Sequence, residues 1–311
     1  MVGPTLMFQL GRLWFCLGFI LLSMRTGKLI FCQMLMLIGS TAMAQGWGDN
    51  DSLRVIQLHQ RGVQVERDRI VAWFPTDSLS RQRMEGIADT LNRGVLQAEQ
   101  LIGAPFHWQE FSGKPITFYF SPEKFISHAS WDGLVFIPFW RIKAGQSPWL
   151  HEALHIIFRS NKGSWGNVSR EERAAMMPLW LTEGLPDYVD MKIAYERKFH
   201  RFDLWKDGGL LKTDSSCRSK LSGAQGAYIL KFVGSPGTPP ELFGEHRSQY
   251  APTFYNCSSS FVKFIADQYG LEVLVEGIAD FQKEHQVIEK LTGKTMGQIK
   301  QAWSDKVLLK E

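Results

Sequence analysis

The residues with the most chemical content are His151, Glu152 and His155, in the run Trp149-Leu150-His151-Glu152-Ala153-Leu154-His155. Residues four apart on a helix share a face, so two imidazoles in H-E-x-x-H can converge on one cation, while the intervening glutamate can address a water bound to it. Zinc suits such a set, because imidazole and carboxylate donors that leave one position open hold a water whose pKa falls towards about 7. The reading requires a helix here. Ser147 is a good N-cap and Pro148 a good first helical residue, which predicts a helix from Pro148 to about Arg159.

Two histidines do not close a zinc site. A third ligand is available in Trp180-Leu181-Thr182-Glu183-Gly184-Leu185-Pro186-Asp187-Tyr188, where Glu183 on a second helix can complete a His2Glu set. Asp187 lies one turn further on and can accept the spare N–H of a ligand histidine. Between His155 and Glu183 stand 27 residues, so the polar stretch 161–173 must loop out for Glu183 to reach the metal. Pro186 lacks the N–H that an interior helical position donates, which predicts that this helix begins close to it. His59, His107, His128, His200 and His285 have no partner at a ligand spacing and are expected to be core or surface histidines.

The elements around these motifs predict an α+β chain with two lobes, at about 65–160 and 161–311. Strands are expected at Ile70–Phe74, Ile116–Phe120 and Leu134–Ile142, with an amphipathic helix over Leu79–Ile102. Beyond the first histidine helix the pattern turns helical, over Pro178–Lys192, Cys257–Tyr269, Leu271–Lys283, Val287–Leu291 and Met296–Leu309. Gly223–Pro252, rich in Gly and Pro, reads as a long loop. The strand just before the histidine helix is expected to offer an edge with which an extended peptide can pair.

The two motifs together resemble the gluzincin metallopeptidases, the thermolysin and aminopeptidase group, and most closely the secreted bacterial proteins described as peptidase-MA-like. Weaker likenesses follow at Tyr255, Ser260-Phe261-Val262-Lys263-Phe264-Ile265, Tyr269-Gly270, Leu291-Thr292-Gly293 and Trp303, so the resemblance extends from Ile70 to the C-terminus. It implies a zincin-like fold, with an N-terminal α/β lobe built on a mixed sheet, a mainly helical C-terminal lobe and a zinc site between them. It also implies a zinc-dependent peptidase. Zn2+ would be held by His151, His155 and Glu183, with Asp187 behind a ligand histidine and Glu152 as the general base. Such enzymes use a Tyr or His to stabilise the oxyanion; Tyr255 is favoured over Tyr250, Tyr228 and His246. Pro186 departs from the pattern, which has Ala there. A metal-binding scaffold without turnover, or an amidase on non-protein amides, are the alternatives. The expected partner is a peptide or protein substrate.

The chain of 311 residues carries a formal charge of +4, with 44% hydrophobic residues, an ordinary globular profile. Residues 1–44 contain Arg12, Arg25, Lys28 and no acid, so removing them leaves +1 and no electrostatic basis for nucleic-acid binding. That segment reads as a leader. Leu29–Gly39 is an apolar core preceded by Arg25 and Lys28 and followed by Ala42-Met43-Ala44, a small-x-small cleavage pattern, with the biological start at Met24. An uncleaved anchor over both Leu13–Leu22 and Leu29–Gly39 is the competing reading; an extracytoplasmic address follows from either. Cys217 and Cys257 remain beyond the leader, as a disulfide or as two buried thiols.

Overall fold

The structure is a computed structural model that describes residues 50–103, 108–130, 132–158, 177–197, 209–237, 239, 242, 247–280 and 283–309. The expected leader, the stretch 161–173, His107, His200 and His246 lie outside them. The chain divides into two units, Met1–Val55 and Ile56–Glu311, and the second carries every element discussed below except the start of α1 (Asp51–Arg61). Among the described residues no helix is long and apolar enough to cross a membrane.

The fold is α+β. A mixed five-stranded sheet takes the order β1-β2-β3-β5-β4, with β1 (Gly62–Glu66), β2 (Ile70–Pro75), β3 (Ile116–Ser121), β4 (His128–Ala129) and β5 (Leu134–Pro138). β2, β3 and β5 run parallel, and the two outer strands are antiparallel to their neighbours. Alternation places Ile70, Ala72, Phe74, Phe118, Phe120, Val135 and Ile137 in the core, every one of them fully buried. Helix α2 (Arg81–Ile102) packs on β2 with Met84, Ile87, Ala88, Leu91 and Val95, and Ser80 caps it by accepting from the Arg83 N–H.

Two expectations about β5 change. The strand ends at Pro138 and the chain turns into α4 (Phe139–Ala144), because proline has no N–H with which to continue a ladder. Nor is β5 an edge: β4 pairs with it through His128↔Phe136 and Ala129↔Val135. An added peptide strand would therefore meet β4.

Helix α5 (Trp149–Ile157) follows after a short connection through α3 (Trp108–Ser112), β3 and the β4–β5 hairpin have set the sheet. Its first hydrogen bond runs from the Glu152 N–H to the Pro148 carbonyl, so Pro148 is the cap and Ser147 lies buried one residue outside, instead of Ser147 capping a helix that starts at Pro148. Trp149 fills a notch in α2: a Cβ at Gly94 would lie 2.2 Å from the Trp149 ring. This large buried side chain fixes the rotation of α5 about its own axis, and truncating such a residue typically costs about 3–5 kcal/mol.

The remaining helices are α6 (Leu179–Arg197), α7 (Gly209–Leu221), α8 (Gly226–Phe232), α9 (Arg247–Tyr269), α10 (Leu271–Ala279), α11 (Glu284–Thr292) and α12 (Met296–Leu309). α6 and α9 form the most extensive helix pair. Both contain a proline, Pro186 and Pro252, and both continue through it. Pro186 stands a full two turns into α6, not near its start; the bond lost at the Thr182 carbonyl is outweighed by burial of Trp180, Leu181, Leu185, Tyr188 and Val189 on the same helix. The expected loop at Gly223–Pro252 contains α8 and the first turns of α9, because Ile229 and Phe254 bury apolar surface there. Cys217 on α7 and Cys257 on α9 form a disulfide with Cα atoms 4.9 Å apart. Closing a loop of this length stabilises by about 4 kcal/mol in the chain-entropy account. A single hydrophobic core runs from Val65 to Val307.

Candidate metal centre

Helix α5 buries Leu150, Ala153, Leu154, Ile156 and Ile157 and leaves His151 and His155 only part-covered on one side. Their four-residue spacing brings the two Nε2 atoms to 3.1 Å from each other. Helix α6 crosses α5 and carries Glu183, whose Oε2 lies 3.4 Å from His151 Nε2 and 3.6 Å from His155 Nε2. Four tetrahedral donors at zinc's usual 2.0–2.1 Å stand about 3.3 Å from one another. The three observed separations are the edges of such a figure. His151, His155 and Glu183 form the one group of three metal-competent side chains found among the described residues, and each keeps 14–22% of its side-chain surface open.

Asp187 lies one turn beyond Glu183 on the same face of α6. Its Oδ1 is 2.9 Å from His151 Nδ1, so that nitrogen donates to the carboxylate and Nε2 is left to face the centre. The Asp187 Oδ2 accepts from the Ser259 hydroxyl of α9 at 3.1 Å. Ser259 was not expected at this site. The signal available for it was three consecutive serines, Ser258, Ser259 and Ser260, in a helix otherwise apolar at Phe254, Phe261, Val262 and Ile265.

Two shifts describe the electrostatics. Burial pulls the His151 imidazole down, but the charge of Asp187 and hydrogen bonds to Asp187 and Glu183 outweigh it and hold its pKa well above the usual 6.5. Burial pushes Glu183 up, and the charge of His155 with hydrogen bonds from both histidines carries it down to about 2. Both shifts favour positive charge at the point where the donors converge, which is the preference a cation site needs. Glu152 is buried at 8% exposure, and its charge is felt at His151.

No family model, curated protein or solved structure matches this chain.

The other residues singled out by type lie elsewhere. Tyr255 sits on α9 with its ring against Phe254, and its carbonyl accepts from the Ser259 hydroxyl; no described contact joins its own hydroxyl to the three ligands. Tyr250 and Tyr228 stack on each other with centroids 4.3 Å apart. His59 packs on Trp73 and shares a hydrogen bond with the Tyr119 hydroxyl at 3.0 Å. His128 stacks on Phe136, and His285 sits by Glu284. These are packing positions.

The close approach of α6 to α9 has a definite cause. A Cβ at Gly184 would stand 2.9 Å from the Ser258 carbonyl carbon and oxygen, so only glycine lets the two backbones meet beside Glu183.

Proposed function

We propose that the chain is a zinc-dependent metallopeptidase of gluzincin type with a zincin-like fold, acting outside the cytoplasm on a peptide or protein substrate. The observation that carries this reading is the convergence of His151 Nε2, His155 Nε2 and Glu183 Oε2, 3.1–3.6 Å apart, with Glu152 alongside. These three residues would hold the ion. When bound, zinc supplies a water of lowered pKa and polarises a carbonyl oxygen.

The remaining steps belong to the protein. Glu152 accepts the proton of the attacking water at its carboxylate and returns it to the leaving nitrogen. Asp187 holds the proton on His151 Nδ1, so that Nε2 keeps its lone pair for the centre. Tyr255 is the proposed oxyanion donor, which asks its hydroxyl to approach a bound substrate. An extended peptide would add to the sheet at β4. The Cys217–Cys257 disulfide supports an oxidising compartment, in keeping with a leader at 1–44. Turnover is favoured over a silent metal scaffold because Glu152, buried and one residue from a ligand, serves no purpose in a site that only binds.

The test is zinc content together with cleavage of a peptide library by the purified full chain. About one zinc per chain and chelator-sensitive cleavage are expected, and Glu152→Gln should keep the metal while lowering cleavage by about 10²–10⁴-fold. A fully active Glu152→Gln protein overturns the assignment, and one zinc with no cleavage of any peptide favours a scaffold or an amidase on non-protein amides.

A further inference from the structure

We propose that Ser259 is a positioning residue of the metal centre, holding the second oxygen of Asp187 so that the carboxylate presents its first oxygen squarely to His151 Nδ1. The inference rests on the metal reading above and extends it to a third helix.

An aspartate rotates broadly about its terminal torsion, so a single hydrogen bond at one oxygen leaves the plane of the carboxylate poorly set. Asp187 receives His151 Nδ1–H at Oδ1, from α5, and the Ser259 hydroxyl at Oδ2, from α9. Bonds from two helices to the two oxygens set that plane. Ser259 has one hydroxyl hydrogen and two acceptors within reach, Asp187 Oδ2 at 3.1 Å and the Tyr255 carbonyl at 2.9 Å. The second is the back-bond that a helical serine makes to its own preceding turn, and it does nothing for the site. A charged carboxylate is the stronger acceptor, with bonds roughly twice the strength of those to neutral groups, and it takes the hydrogen.

The neighbouring serines show that this direction is particular to Ser259. The Ser260 hydroxyl turns away, donating to Asp214 at 2.8 Å and accepting from Trp303 Nε1 at 3.1 Å. Ser258 lies where α9 meets Gly184, and its backbone makes that contact. Ser259 itself is buried at 1% exposure, so water does not compete for its hydrogen bond. The Gly184–Ser258 approach brings α9 to α6 one residue from Ser259, and the Cys217–Cys257 disulfide ties the same turn of α9 to α7. The chain of contact therefore runs from a covalently tied turn through Ser259 and Asp187 to a ligand histidine.

Zinc affinity of the full chain, measured by competition with a chromophoric chelator, tests this. Ser259→Ala should weaken zinc about tenfold, the low end of what removal of partners behind metal ligands does. Ser258→Ala should leave it unchanged. In an Asp187→Ala background, Ser259→Ala should have no further effect, because the group it orients is gone. Unchanged zinc affinity in Ser259→Ala overturns the proposal; so does an equal loss in both backgrounds, which a general packing effect would produce. Failure of the unmutated protein to take zinc is a different result, and overturns the metal reading itself.

Discussion

Glu183 and Glu284 are both glutamates drawn into the protein, and they end at opposite extremes. Burial pushes each carboxyl up. At Glu183 the charge of His155 and hydrogen bonds from His151 and His155 reverse the effect and carry it to about 2. At Glu284, the first residue of α11, burial prevails over the residue's own backbone N–H, the charge of Asp280 adds to it, and the carboxyl reaches about 7. Its Oε1 has no hydrogen-bond partner, and His285 Nε2 stands 3.8 Å away. Burial alone makes a carboxylate costly; what faces it decides whether it becomes a ligand or a strained acid. Each also lies beside a helix contact made through glycine. Gly184 meets backbone, the Ser258 carbonyl at 2.9 Å, whereas Gly277 meets the Ile288 side chain at 3.1 Å, which can turn aside. The first region is rigid and the second yields.

The strongest way to break this comparison is at Glu183. Glu183→Ala removes a direct ligand and should weaken zinc by more than about 100-fold, beyond the loss usual for partners behind a ligand, and abolish cleavage; zinc binding at the original affinity would show that the carboxylate is only a neighbour of the histidines. The glycine pair sharpens it next. Gly184→Ala should cost about 1–3 kcal/mol in urea unfolding and weaken zinc, because a methyl cannot enter without parting α6 from α9. Gly277→Ala should stay within about 1 kcal/mol of the original, since Ile288 gives way and alanine favours the helix by a similar amount. Equal losses at the two positions would erase the distinction between rigid and yielding contacts.

Glu284→Gln has the smallest expected effect. The Glu284 carboxyl titrates near 7 when folded against an ordinary 4.5, so between those values the folded chain holds the extra proton and stability from this group falls as pH rises. Glutamine does not ionise. The variant should therefore melt a few degrees above the original at pH 8 and level with it at pH 4, and a gain that did not depend on pH would mean that Glu284 is not the titrating group.

Much of the framework was legible in the residues. β2 and β3 follow from alternation of branched and aromatic residues over 70–75 and 116–121, and α2 from the period of Met84, Ile87, Leu91 and Val95 with Ser80 before it. Less legible were elements whose signal is local and mixed. α7, with Thr213, Asp214, Ser215 and Ser216 in its middle, has weak helical patterning, and its burial comes at Thr213, Cys217 and Leu221. β4 is two residues long, too short for any period to declare, yet it covers the edge that the preceding residues of α5 had been expected to expose. Prolines at 186 and 252 argued for helix boundaries, and tertiary burial overrode them.

By itself the sequence determined what depends on neighbours along the chain. His151 and His155 share a face because they are four apart on a helix, and so do Glu183 and Asp187. Only the tertiary structure decided that these two faces meet. That meeting depends on Trp149 entering the Gly94 notch, on Gly184 admitting the backbone of Ser258, and on Ser259 reaching Asp187 across a third helix. The reason is physical: a helical period is written in spacing, whereas the approach of two helices is decided by the shapes of side chains that lie far apart in sequence and touch only after folding.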